Sequence, residues 1–185
     1  MEAFLTSTVT VAIAEIGDKT QLLSLLLAAK FRNKLAIVSG ILIATLLNHA
    51  ASAWLGVWLS NFLTEGWDAW IVGASFILVG LWLLVPDQDE AVDNRFDQYG
   101  AFAVTTLLFF LAEIGDKTQV ATVLLGAQFQ STLMVILGTT LGMLLANIPV
   151  VYLGDKLMRK LPLQTTRILA ATIFIAIGLL SMFVH

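Results

Sequence analysis

Cysteine is missing altogether from this 185-residue chain, which excludes disulfides, thiolate metal sites and cysteine nucleophiles. Charge is nearly as scarce: 12% of residues are Asp, Glu, Lys or Arg, against about 25% in a soluble domain. Neither sign dominates, since the formal net charge is −3. The basic residues form no stripe along which a polyanion could lie, so nucleic acid is not an expected partner. The opening MEAFLTSTVT has no basic n-region and no small-residue cleavage site. No cleaved signal peptide is therefore expected, and the first apolar segment belongs to the mature fold.

What fills the chain instead is hydrocarbon: 58% of residues are hydrophobic and the mean hydropathy is +0.89. That composition predicts a polytopic membrane protein with the lipid bilayer as its solvent. A helix needs about 20 mainly apolar residues to span the hydrocarbon. Six segments qualify: Ala3–Ala29, Leu35–Leu59, Trp67–Val85, Ala101–Ala127, Leu133–Leu153 and Ile168–Val184. Backbone groups in lipid must bond internally, so the expected class is all-α with six transmembrane helices. Short polar breaks fall at KFRNK (30–34), NFLTEG (61–66) and QFQST (128–132). The longest break, Pro86–Tyr99, carries Asp87, Asp89, Glu90, Asp93 and Asp97 and reads as a solvated linker.

The octapeptide AEIGDKTQ occurs twice, at Ala14–Gln21 and at Ala112–Gln119, an offset of 98 residues. The register continues without a gap: Phe31 falls on Phe129, Gly40 on Gly138, Gly56 on Gly154, Phe76 on Phe174 and Gly80 on Gly178. The chain thus reads as a first three-helix repeat (1–85), an acidic linker (86–99) and a second repeat (100–185). Three spans per half is an odd number, so the second repeat enters the membrane inverted, as in many secondary transporters.

Lys30, Arg32, Lys34, Arg95, Lys156, Arg159, Lys160 and Arg167 all fall on loops of one face. By the positive-inside rule that face is cytoplasmic, with the acidic linker inside and both termini outside. Trp58, Trp67 and Trp70 then mark the outer interface as an aromatic belt.

Glu15 lies about 12 residues into its span, roughly 18 Å deep and near mid-membrane. Glu15, Asp18, Lys19, Glu113, Asp116 and Lys117 would together cost on the order of 15–20 kcal/mol if uncompensated. That exceeds the net stability of most proteins, about 5–15 kcal/mol. At helical spacing Glu15 and Asp18 share a face, and Gln21 continues the row; Glu113, Asp116 and Gln119 repeat it. The inverted two-fold would bring four carboxylates and two amide oxygens around one cavity. Such oxygens suit hard divalent cations. Lys19 and Lys117, four residues after the glutamates, could each neutralise one acid in the absence of the cation. Gly17 and Gly115 would allow close helix approach or a local break freeing carbonyl ligands. Thr20 and Thr118 add hydroxyls. The bland alternative is a pair of structural Glu–Lys locks, but a lock needs neither the aspartates nor the glutamines.

Asn48 and His49 lie mid-span, and Asn147 is the repeat mate of His49. Interhelical hydrogen bonding is their expected role, with lining of the ion path as the alternative. Pro149 should loosen its helix because it lacks an N–H. Gly138, Gly142 and Ala146 form a packing face.

The doubled E-x-G-D-K-T motif in a six-span inverted repeat closely resembles the cation/proton exchangers that include Golgi manganese/calcium transporters and bacterial manganese exporters. The similarity covers nearly the whole chain, and the short length resembles the bacterial or cyanobacterial form. It implies an inner (plasma) membrane, or a thylakoid, as location. It also implies export of Mn²⁺ or Ca²⁺ in exchange for protons, with no other cofactor and no enzymatic activity. By the same resemblance Glu15, Asp18, Glu113 and Asp116 would bind the cation, supported by Lys19, Thr20, Lys117 and Thr118. Gln21, Gln119, Asn48 and Asn147 are further candidate ligands. Proton and metal would compete for one carboxylate site. The assembly is left open between monomer and homo-oligomer. Rival readings are a divalent-cation channel, an intramembrane aspartyl hydrolase and a purely structural subunit.

Overall fold

Apolar runs of this length leave the backbone only itself to bond with, and helices result. The structure, a computed structural model, describes residues 1–63, 67–85, 99–154 and 163–183, and helices are the regular elements among them. They are α1 (Glu2–Ala14), α2 (Lys19–Lys30), α3 (Lys34–Ser60), α4 (Asp68–Leu83), α5 (Ala101–Glu113), α6 (Lys117–Phe129), α7 (Thr132–Leu153) and α8 (Leu163–Phe183). The all-α expectation holds. Of these, α3, α7 and the stretch Gln164–Phe183 of α8 are long and apolar enough to cross a membrane. Shorter apolar helices are α1, α4 and α5.

Two expected continuous helices are each broken. Ala3–Ala29 divides into α1 and α2, and Ala101–Ala127 into α5 and α6, with both breaks inside the repeated motif. The cause is local: Gly17 and Gly115 take φ of +84° and +75°, a left-handed backbone that an α-helix cannot contain and glycine adopts without strain. Pro149, by contrast, does not interrupt α7. The last helix begins at Leu163, earlier than Ile168. Most of the central acidic linker (86–98), the basic loop at 155–162, part of the polar break at 64–66 and residues 184–185, which include the end of the last expected span, lie outside the described residues.

Helix α3 packs on α5, α6 and α7; α1 packs on α7 and α8; α4 packs on α8 and α6. In lipid, helices associate by close backbone approach more than by hydrophobic drive, so small residues mark the seams. A methyl group added at Gly138 would lie 2.5 Å from the Phe4 carbonyl oxygen. One added at Gly40 would lie 3.0 Å from the carbonyl of Phe102. Both members of the second contact are 98 residues from those of the first. Phe76 and Phe174, another pair at that offset, meet with their rings tilted by 50° and their centroids 6.0 Å apart. The core around them includes fully buried Phe109, Ile37, Ile41, Leu125 and Met143. Trp58, Trp67 and Trp70 are exposed.

Candidate metal centre

The motif breaks put helix ends, not helix middles, at the polar centre. Glu15 and Glu113 stand at the carboxyl ends of α1 and α5; Asp18 and Asp116 are the N-caps of α2 and α6. The first turns of α2 and α6 present unsatisfied N–H groups and the positive end of the helix dipole, which favours a carboxylate there. Asp116 uses this directly, accepting the Thr118 N–H at 3.2 Å. Asp18 N–H bonds the Glu15 carbonyl and Asp116 N–H that of Glu113, so each break is a compact turn.

The glutamines staple those turns. Gln21 Oε1 accepts the Gly17 N–H at 2.8 Å, and Gln119 Oε1 accepts the Gly115 N–H at 2.6 Å. Gln21 also donates through Nε2 to the Ala146 carbonyl of α7 at 2.9 Å. The amide oxygens assigned to the cavity by helical spacing are thus engaged by backbone.

Glu15, Asp18, Glu113, Asp116, Lys117, Thr20 and Thr118 are all buried. One carboxylate oxygen from each of Glu15, Asp18 and Asp116 lies within 4.8 Å of the other two. Diametric ligands of a hard cation with oxygen contacts of about 2.3–2.6 Å stand about that far apart, so little movement would close them on an ion. The trio draws on both motif copies. Glu113 stands outside it, with its Oε2 3.4 Å from the Thr118 hydroxyl, which is 3.0 Å from Asp116 Oδ2. In the first copy the Thr20 hydroxyl donates instead to Glu15 Oε2, at 2.5 Å. Oε1 of Glu15 and Oε1 of Glu113 are buried and accept no hydrogen bond among the described residues. Burying a carboxylate oxygen without a donor is costly, and a cation is the natural compensation.

The lysines differ from the i, i+4 expectation. Lys19 Nζ sits 3.1 Å from Asp116 Oδ1, across the two motif copies. Lys117 Nζ donates to the Val85 carbonyl at 2.6 Å and lies 6.0 Å from the centre of the Trp82 ring, both at the end of α4. A helix turn that ends at Ala14 cannot hold Glu15 and Lys19 in helical register, and the reach to Asp116 follows.

Asn48 Nδ2 donates to the Phe110 carbonyl at 3.2 Å. Asn147 Oδ1 accepts the Ser24 hydroxyl at 2.7 Å, and its Nδ2 donates to the Met143 carbonyl at 3.1 Å. Both asparagines therefore bond between or along helices. His49 is fully buried, and neither ring nitrogen has a hydrogen-bond partner among the described residues. Ser24 went unnoticed in the sequence; the signal was the offset itself, which pairs it with Thr122, another buried hydroxyl.

The chain that builds this polar centre matches a known family. Residues 3–91 and 101–185 match the family described as "Divalent cation/proton antiporter GDT1". A protein of Vibrio cholerae serotype O1 (strain ATCC 39541 / Classical Ogawa 395 / O395) named "Putative manganese exporter" is 46% identical over 187 residues, covering 99% of this chain and 92% of that protein. "GDT1-like protein 4" of Oryza sativa subsp. indica is 26% identical over 208 residues, covering 98% of this chain and 73% of its own length. No solved structure matches the chain significantly. The chain belongs to the GDT1 divalent cation/proton antiporter family, a family of membrane transporters.

Proposed function

We propose that this protein exports Mn²⁺ from the cytoplasm in exchange for protons. It does so through six spans arranged as two inverted three-helix repeats, 1–85 and 100–185, with both termini outside and the linker inside. The observation that carries the proposal is the convergence of Glu15, Asp18 and Asp116 from both motif copies on one buried, all-oxygen centre. Glu113 completes the acid set, close enough through Thr118 to join when an ion draws the carboxylates in. Thr20 and Thr118 orient the acids; Gln21 and Gln119 hold the breaks that expose them. The helix contacts repeated at the 98-residue offset support the inverted repeat.

Exchange follows from the donor set. A carboxylate oxygen carrying a proton cannot ligate a metal, so either protons or one cation compensate the acids. Rocking one repeat against the other would present the same centre to each side in turn. Oxygen ligands alone also suit Ca²⁺, and the name of the Vibrio relative favours Mn²⁺. Proteoliposomes containing the purified protein should take up Mn²⁺ faster when a pH gradient is imposed, and Ca²⁺ and Mg²⁺ more slowly. Uptake indifferent to the gradient would favour a channel.

A further inference from the structure

The two motif lysines occupy equivalent sequence positions and unequal structural ones. Lys117 is 4% exposed and its ammonium is anchored on the Val85 carbonyl, two residues past the end of α4, beside the Trp82 ring. A backbone carbonyl and an aromatic face both attract a cation, so that lysine is held beside the end of α4. Lys19 has a different partner. Its side chain is 21% exposed, while the Asp116 side chain it reaches is only 3% exposed. The ammonium thus approaches the acid centre from its accessible margin, on a flexible four-carbon stem with a strongly hydrated head. It can leave without carrying a bare charge through the core.

Asp116 Oδ1, the atom 3.1 Å from Lys19, belongs to a carboxylate that also stands in the Glu15–Asp18–Asp116 trio. One monovalent ammonium and one divalent ion therefore seek the same carboxylate. We infer that Lys19 is the centre's built-in counter-cation: it neutralises Asp116 when no metal is present, and an entering divalent cation must displace it. This rests on the exchanger reading above and adds a regulating residue to it. Lys19 is a positioning residue here, since it holds a ligand and does not itself bind metal. A tethered cation lowers affinity for the ion but keeps the emptied acids from repelling one another, so release becomes easier. The pair also links the two motif copies, and a metal that displaces Lys19 replaces that link with its own ligation of Glu15, Asp18 and Asp116. Occupancy and the joint between the two halves are coupled.

The test is Mn²⁺ binding to the purified full-length protein by calorimetry, with Lys19→Met, Lys19→Arg and Lys117→Met. Removing a competing cation should lower the Kd of Lys19→Met by about tenfold, the usual scale of a coupling between two sites. Its transport rate should fall because release slows. Lys19→Arg, whose fork grips a carboxylate with two N–H groups, should raise Kd. Lys117→Met should change Kd less than Lys19→Met does. A Lys19→Met protein that binds Mn²⁺ with unchanged or weaker affinity overturns the inference while leaving the exchanger reading intact. Wild-type protein that binds no divalent cation overturns both. A readout without metal guards against misfolding. Lys19→Met should lower the Tm of the metal-free protein, and Asp116→Asn added to it should recover part of the loss. If the two changes are additive, the ion pair has no role in the empty centre and the inference fails.

Discussion

Phe76 of α4 and Phe174 of α8 lie at the same place in each half of the chain and meet in the core, fully buried, with ring centroids 6.0 Å apart. A two-fold axis relating the proposed repeats would run between these rings. Truncating either to Ala removes a large buried ring and should lower stability by about 3 kcal/mol. The double variant should lose less than the sum, because each ring is the other's partner. Thermal unfolding in detergent measures both. Full additivity would mean that the rings do not act as a pair.

The recurrence of AEIGDKTQ is legible in the sequence itself, and Gly40/Gly138 and Phe76/Phe174 keep its register. The class was legible from hydropathy alone. The breaks within the motif were not. Hydrophobicity runs unchanged from Ala3 to Ala29, and Gly17 was compatible with either a packed helix or a turn. Only the positive φ decides it. Once the helix stops at Ala14, Glu15 no longer has helical i+3 and i+4 neighbours. Asp18 still meets Glu15, because the chain turns on itself, but Lys19 departs to Asp116 and the Gln21 oxygen goes to Gly17. Local periodicity carries no information about a partner some 100 residues away.

The two threonines should separate in mutagenesis. Thr20 donates to Glu15 at 2.5 Å, whereas the Thr118 hydroxyl is 3.4 Å from Glu113 and 3.0 Å from Asp116. Hydrogen bonds to charged groups contribute about 1.5–3 kcal/mol. Thr20→Val keeps the shape and should weaken Mn²⁺ binding by about tenfold or more. Thr118→Val should weaken it less. Equal losses, read by calorimetry, would show that the difference in geometry has no functional weight.

The aspartates should behave as one unit. Asp18→Asn and Asp116→Asn each remove a member of a three-carboxylate cluster, and each should abolish Mn²⁺ transport in proteoliposomes. The double variant should be little worse than either, as expected for groups that act together. Near-normal transport by either single variant would sink a centre shared between the motif copies.

Orientation can be read on intact cells, and the absence of native cysteine makes the chain suited to it. Eight of its ten basic residues fall on loops of the face expected inside. Asp93→Cys should resist an impermeant thiol reagent, and a cysteine added at the carboxyl terminus should react. The reverse pattern would place the linker outside and overturn the proposed orientation.

Proton coupling is the claim with most chemistry between it and the residues. Glu15, Asp18 and Asp116 cannot hold protons on the oxygens that ligate an ion, so metal binding has to release whatever protons the empty acids carry. Lower pH favours the protonated acids, so Mn²⁺ affinity should rise with pH across the range where they titrate. Glu15→Gln keeps the shape and one oxygen but cannot bind or release that proton. It should weaken binding and flatten the pH dependence, and Glu113→Gln should do so less, since Glu113 lies outside the close trio. Calorimetry in buffers of different ionisation enthalpy counts the protons directly, because released protons add the buffer's heat to the signal. Binding that is tight, independent of pH and indifferent to the buffer would mean that no proton is exchanged, leaving a channel or a static cation site as the account of these carboxylates.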